Sequence, residues 1–462
     1  MDHHLLKALQ DLWAAAPRYK GGILSTPELA RLIEACGPYT EGPAHYFGQQ
    51  FAFFNALRSL GLPSQEDGEQ ASTDLEDVAA QLIDACTCTH RVRTHFCPLD
   101  LADDWPDLAF GNAVVRTFSP EELALELDMA RLTEFHTGEG VDLERLSMVK
   151  WLVVKDPYPI QGSPARRSGS FMDQVLPKDW GAVKPHENGW PQAVEDAVFF
   201  LLLAPWEEWV AFPQENIFGF QIPWVYTVES DIFVPPLSPP IPDRLSIHWH
   251  LEVYPDGSEH EEQSPTKAHL HFKVQGKIAL LNSDYWQNIE NAKSTSLFAT
   301  PVQHFLVRAF QAKGIDELLA HITAIEAAVG TQADYGRRTK YKELSASLRV
   351  AARLAGLLGD DCAAHEYDSL FDLRSKFLHG RAGIDTVSST QRVAARRLAR
   401  RAAFKLAERA ANLPTSRDAL LEQLLESGVD LVRRTHHGPP PPISSDQRLD
   451  STSKKSAGAI EP

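Results

Sequence analysis

From about residue 301 the apolar residues recur every three to four positions, and they keep doing so with brief interruptions to residue 436. An α-helix with one buried face imposes that period. The last third of the chain, 301–436, is therefore expected to be all-helical. Gly314 and Gly330 read as helix ends, with further helices near 339–358, 363–379, 387–412 and 416–434. Gly438 and Pro439 to Pro442 stop the pattern, because proline lacks the amide that a helix interior needs. The Ser/Lys-rich end, 437–462, has too little apolar surface to order itself and is expected to be disordered.

Residues 1–300 lack such uniformity. Leu5, Leu6, Leu9, Leu12 and Trp13 form one helical stripe, and Thr26 before Pro27-Glu28-Leu29 reads as the N-cap of a second helix reaching Ala35. A third helix is expected over about Leu75–Ala85, after a polar loop from Pro63 to Thr73. Val114-Val115 and Trp151 to Val154 are β-type runs, while Pro120 to Leu132 reads as a helix with acids in its first turn. Gly162 to Ser170 is a loop, Trp190 to Leu203 a buried helix and Ile217 to Phe233 a strand. Leu245–Tyr254 and Ala268–Leu281 read as a strand pair around the turn Pro255-Asp256-Gly257. Pro235, Pro236, Pro239, Pro240 and Pro242 mark a sub-boundary near 235–244. The fold class is α+β: a mixed region followed by a helical bundle.

Charge divides along the same line. Residues 301–436 hold 21 basic and 16 acidic residues, net +5, whereas 1–300 hold 21 basic and 43 acidic, net −22. The helical part is the one suited to a polyanion, and the N-terminal part would repel nucleic acid. The longest apolar run, Ala197 to Trp206, is too short to span a bilayer. The opening residues Met1 to Lys7 lack the basic start and continuous apolar core of a secretory leader. Five cysteines, an odd number, favour reduced thiols in a cytoplasm.

Within the helical part, Leu373-Arg374-Ser375-Lys376-Phe377-Leu378-His379-Gly380 carries the most chemistry. Leu370, Leu373 and Phe377 recur at helical spacing and are expected to face the core, with Arg374 off that stripe. Gly380 suits a helix C′ position, since it takes positive φ at no steric cost. His379 then falls in the last turn, where the negative dipole end favours a cation. Five residues of helix separate Arg374 and His379 by about 140° of rotation. Either the helix ends between them or two copies of the chain supply one site.

Arg374, the four residues after it and His379-Gly380 resemble the Arg-x4-His signature of HEPN domains, in the Apea-like branch. The likeness extends upstream to His321–Ala328 and Leu348–Gly359, which are similar to the preceding helices of that family. It covers roughly the last third of the chain. The resemblance implies a metal-independent endoribonuclease, of the kind used in bacterial antiphage defence by abortive infection, with two domains pairing so that their motifs share one cleft. On that reading RNA supplies its own nucleophile, the 2′-hydroxyl. His379 moves the proton, and Arg374 holds the phosphorane oxygens with its forked guanidinium. Products would be a 2′,3′-cyclic phosphate and a 5′-hydroxyl. Ser375 and Glu326 are orienting candidates. The expected partners are RNA, a second copy of the chain, and an unidentified trigger for the N-terminal region; no cofactor or membrane is called for.

Three further constellations carry chemistry-bearing residue types. On the segment from Gln391 to Arg409, Arg392, Arg396 and Arg400 form one row, and Arg397, Arg401, Lys405 and Arg409 the next. Such rows neutralise several phosphates or make a solvated face. His248 and His250, with His269 and His271, would project to one side of adjacent strands and so are weak zinc candidates. Cys86, Cys88, His90, His95 and Cys97 have zinc-suited types at a non-standard spacing. No Gly-rich phosphate loop, Gly-x-Ser-x-Gly elbow or His-Glu-x-x-His occurs. The rival to the nuclease is a non-catalytic protein whose helical domain dimerises or binds nucleic acid; a metal-dependent activity in the N-terminal region is the third reading.

Overall fold

The computed structural model describes residues 2–19, 22–40, 47–63, 74–160, 163–164, 167, 189–254, 258–272, 274–335, 341–380, 386–412 and 416–437. The expected disordered end beyond His437, the turn at Pro255 to Gly257, and most of the loops Pro63–Thr73 and Gly162–Ser170 lie outside them. The chain is α+β and divides into two units: Met1–Ala328 with Gly383–Thr415, and Val329–Ala382 with Ser416–Pro462. The stretch read as one helical region, 301–436, is thus shared between them.

The first unit begins with helices α1 (His3–Ala15), α2 (Pro27–Ala35), α3 (Phe47–Ser59) and α4 (Leu75–Thr87). Local chemistry starts α2 in the expected place. Thr26 Oγ1 accepts from Leu29 N at 3.3 Å with Pro27 at the first helical position, where its missing amide costs nothing. Leu5, Leu9 and Leu12 are fully buried with Leu29, Leu32, Phe53, Leu57 and Leu82. Each such side chain contributes about 1.5–3 kcal/mol relative to leaving it in water.

Next come strands β1 (His90–Leu99), β2 (Leu108–Phe110) and β3 (Ala113–Arg116), helices α5 (Pro120–Glu126), α6 (Met129–Phe135) and α7 (Leu143–Ser147), and strand β4 (Lys150–Pro159). Helices α8 (Gln192–Leu202) and α9 (Trp206–Trp209) precede strand β5 (Tyr226–Glu229). The five strands form one antiparallel sheet in the order β2-β3-β4-β1-β5. One face packs Phe96, Trp151 and Val153 against Leu123, Leu132 and Leu146. On the other lies α8, buried over most of its length as its composition requires, with Phe110 and Phe200 rings 4.6 Å apart.

Three expectations are corrected here. The helix read over Pro120–Leu132 breaks at Asp128, whose backbone is left-handed (φ 52°) and whose carboxylate accepts from Arg131 N at 3.3 Å to start α6. The strand read over Ile217–Phe233 shrinks to Tyr226–Glu229, because the Asn216 side chain accepts from Phe218 and Gly219 amides and turns the chain. Strand β6 (Ile247–Val253) forms as expected, but its partner is β7 (Glu259–Pro265), not Ala268–Leu281. The polar composition of β7, Glu-His-Glu-Glu-Gln-Ser-Pro, hides strand character in a ribbon where few residues need burial.

Helices α10 (Gln275–Ile278), α11 (Ser283–Lys293), α12 (Val302–Gln311) and α13 (Ile315–Val329) follow. The second unit holds α14 (Ala346–Leu358) and α15 (Cys362–Leu378). Helix α16 (Ser389–Asn412) belongs with the first unit, and α17 (Arg417–His437) with the second. At the crossing of α14 and α17 the backbones nearly touch: a Cβ on Gly428 would lie 1.8 Å from Ala352 O, and one on Gly356 2.4 Å from Leu424 O. Beside that crossing Arg353 grips Asp334 through both carboxylate oxygens, at 2.7 and 2.9 Å, with no more than a few per cent of either side chain exposed.

Candidate functional site

The Arg374–His379 segment forms the last two turns of α15. Leu370 and Leu373 are buried as the stripe requires, but Phe377 is 44% exposed, against expectation, and Leu378 53%. Every residue from Lys376 to Gly380 is exposed, so the last turn stands clear of the core that covers Leu373. His379 is the C-cap; its amide donates to Ser375 O at 3.1 Å, and Gly380 takes φ 61° with its amide on Phe377 O at 3.3 Å. This is the glycine-terminated end expected from sequence. Arg374 is half-buried, its guanidinium carbon 5.5 Å from the Phe371 ring centroid, and Ser375 is half-buried beside it. Since the helix runs unbroken to Leu378, the Arg374 and His379 side chains leave it about 140° apart. Glu326 lies half-buried on α13, in the last turn before the first unit ends.

The arginine rows of α16 separate sharply. Arg392, Arg396 and Arg400, read as nucleic-acid binders, point into the protein instead. Arg392 Nη2 bonds Glu317 Oε2 at 2.7 Å, and Arg400 bonds Glu207 and Glu208 at 2.7 Å each. Arg396 has no exposed surface; its Nη2 donates to the carbonyls of Leu202 (2.5 Å) and Ala204 (3.2 Å), and its Nε lies 3.5 Å from Glu207 Oε2. A buried cation is tolerated only when paired, and remote carboxylates supply the pairing. The adjacent row keeps access to solvent: Arg397, Arg401 and Lys405 are part-exposed and Arg409 exposed. Lys405 Nζ is 2.5 Å from Glu408.

Around that inward row lies a group that sequence reasoning missed. His321, one turn after Glu317 on α13, is fully buried and stacks on Phe218 at 5.9 Å. Neither of its ring nitrogens has a hydrogen-bond partner among the described residues. Burial first, then Arg396 and Arg392, hold its pKa well below the usual imidazole value, so it is neutral. Burial raises Glu317, against the pull of Arg392. The available signal was Glu207-Glu208 between Trp206 and Trp209: two acids inside an otherwise apolar, aromatic stretch call for buried cations.

The histidine pairs are not brought together as expected. His248 and His250 lie on β6 opposite Ser264 and Glu262. His269 and His271 lie after β7, where their backbones bond to Ala211 and Trp209. Among these histidines, His250 is the one whose ring converges with other ligand-type atoms, those of Glu252 and Glu262, all within 4.8 Å of one another on the exposed ribbon; among the described residues, Asp360, Asp361 and Cys362 make a second such group. The hydrogen bond shared with Glu262 raises Glu252, while Tyr254 lowers Glu262 first. Cys86, Cys88, His90, His95 and Cys97 form no such convergent group among the described residues. Cys97 is buried in the sheet, and His95 Nδ1 is 2.9 Å from Thr227 Oγ1. No family model, curated protein or solved structure matches the chain.

Proposed function

We propose that this protein is a metal-independent endoribonuclease of the HEPN type, acting in antiphage defence by abortive infection. The observation that supports it is the accessible end of α15. There an exposed imidazole, a part-exposed guanidinium one turn earlier and two exposed apolar side chains, Phe377 and Leu378, share one helix tip. These two adjacent side chains give a second copy apolar area to bury. A second copy seated on them would bring its own Arg374 and His379 to the same place, which answers the 140° divergence within one chain. Two-fold pairing is also the commonest mode of self-association.

In that cleft His379 accepts the proton of a ribose 2′-hydroxyl as the oxygen attacks the adjacent phosphorus. The P–O5′ bond breaks, and a protonated imidazole returns a proton to the leaving oxygen. Arg374 hydrogen-bonds the equatorial phosphorane oxygens, whose charge grows in the transition state. The test is labelled RNA incubated with chelator. Cleavage to 2′,3′-cyclic phosphate ends that disappears in Arg374→Ala and His379→Ala, with circular dichroism unchanged, is the expected result. Binding without cleavage in the parent protein points to the non-catalytic rival.

A metal-dependent activity is the second reading, favoured by the convergence of His250, Glu252 and Glu262. Cleavage abolished by chelator and by Glu262→Gln supports it over the first.

A further inference from the structure

A cavity of about 510 Å³ opens in the first unit where α9, α11 and α16 approach one another. Its volume is in the range of small-molecule sites. The walls are largely apolar, with Leu203 and Leu281 beside three aromatic side chains, Trp209, Tyr285 and Phe404. The Tyr285 and Phe404 rings stand 6.4 Å apart and inclined at 45°, making an angled aromatic corner. Burial raises the Tyr285 phenol, so it presents a neutral hydroxyl.

The ionic groups decide what fits. Arg400 is the cation in the wall, and Glu207 and Glu208 hold its guanidinium at 2.7 Å each. Lys405, whose Nζ is 5.8 Å from the Phe404 centroid, is held by Glu408 at 2.5 Å. Asp284, exposed in the wall, is in no ion pair among the described residues. The unbalanced charge of the cavity is therefore negative. Aromatic faces attract cations, the more strongly when water is excluded. A hard divalent ion would need six or so oxygen ligands, whereas one free carboxylate and the amides of Asn282 and Asn288 are what the wall offers, with Asn282 Oδ1 already accepting from Tyr285 N at 3.1 Å.

We propose that this cavity binds a monovalent organic cation, an ammonium or amidinium carried on an apolar body. The charged head sits in the Tyr285–Phe404 corner beside Asp284, and the body lies along Leu203, Leu281 and Trp209. An anionic ligand would meet Asp284, while Arg400, the cation among the lining residues, is already bonded to Glu207 and Glu208. The site does not depend on the ribonuclease reading.

Calorimetric titration of the full chain tests the assignment, using benzyltrimethylammonium and benzamidinium as probes, with benzyl alcohol and benzenesulfonate as neutral and anionic controls. The expected result is saturable one-site binding of at least one cation, with neither control binding as tightly. Asp284→Asn, at an exposed position in the first turn of α11, is expected to weaken it about fivefold or more, as is Phe404→Leu. No saturable binding by either cation, equal binding of the sulfonate, or affinity unchanged in both variants overturns the proposal. Melting temperatures of the variants, measured alongside, separate loss of the site from loss of the fold.

Discussion

Arg396 Nε and Glu207 Oε2 face each other at 3.5 Å, and neither side chain has any surface exposed to solvent. Two residues nearly two hundred positions apart thus neutralise each other inside the first unit, with Arg400 bridging the same carboxylate to the cavity wall. Without Arg396, Glu207 keeps Arg400 at 2.7 Å, but the buried Leu202 and Ala204 carbonyls lose the donor that satisfies them. Arg396→Met is expected to cost about 1–3 kcal/mol of unfolding free energy. Arg397→Gln, on the neighbouring row, is expected to change it by less than about 1 kcal/mol. Urea denaturation of both variants checks the contrast; equal losses would contradict the inward and outward assignment of the two rows.

His321 makes folding sensitive to acid. Burial with Arg396 and Arg392 holds its folded pKa well below the value of about 6.5 it regains on unfolding. Between those values the unfolded chain binds a proton that the folded chain does not, so stability rises with pH there. The contribution is complete above pH about 6.5 and is lost as pH falls toward the folded pKa. His321→Phe should therefore flatten the acid side of a plot of melting temperature against pH between 7.5 and 5. A parallel fall in variant and parent would show that other groups set the acid limb.

Gly428→Ala is expected to destabilise the second unit by about 1–3 kcal/mol, although alanine is the better helix former by about 1 kcal/mol. Its Cβ would be placed 1.8 Å from Ala352 O, a distance only backbone movement relieves. Gly276→Ala, a helical position with nothing within 4 Å, is expected to be neutral or to raise stability by up to about 1 kcal/mol. Thermal melts of the two variants, run side by side, read the difference.

On the nuclease reading, His379→Ala is expected to lower RNA cleavage about 10²–10⁴-fold, the usual worth of a positioned acid–base group. Arg374→Lys should also fall, because an ammonium cannot reproduce the two-pronged contact. Phe377→Ser with Leu378→Ser is expected to weaken self-association and cleavage together. Sedimentation velocity and a cleavage assay on the same samples would reveal any separation of the two.

RNA binding by the outward arginine row has its own signature. Each single-strand phosphate contact contributes about 0.7 to the slope of log affinity against log salt. Arg397→Gln with Arg401→Gln is expected to lower that slope by about 1.4. A filter-binding series from low to moderate salt provides the measurement, and an unchanged slope would place the RNA elsewhere.

Much of this molecule was readable in advance where the cause is local. The spans of α15, α16 and α17, the Thr26 cap, the largely buried α8 and the glycine stop at Gly380 all follow from spacing and from backbone preferences of single residues, whereas α14, read from 339, begins at Ala346 behind the Ser345 cap. Pairing was less readable. The partner of β6 was misplaced because β7 is nearly all polar, and Phe377 was assigned to a core that the helix tip outruns.

The chain alone determined the course of α15, α16 and α17 and that Arg392, Arg396 and Arg400 share one helix face. Only the tertiary structure decided which side of that face meets water. A guanidinium can be buried when carboxylates surround it, and Glu207, Glu208 and Glu317 reach α16 from distant parts of the chain. Periodicity describes a helix's own surface; the charge and desolvation at that surface are set by whatever the fold lays against it.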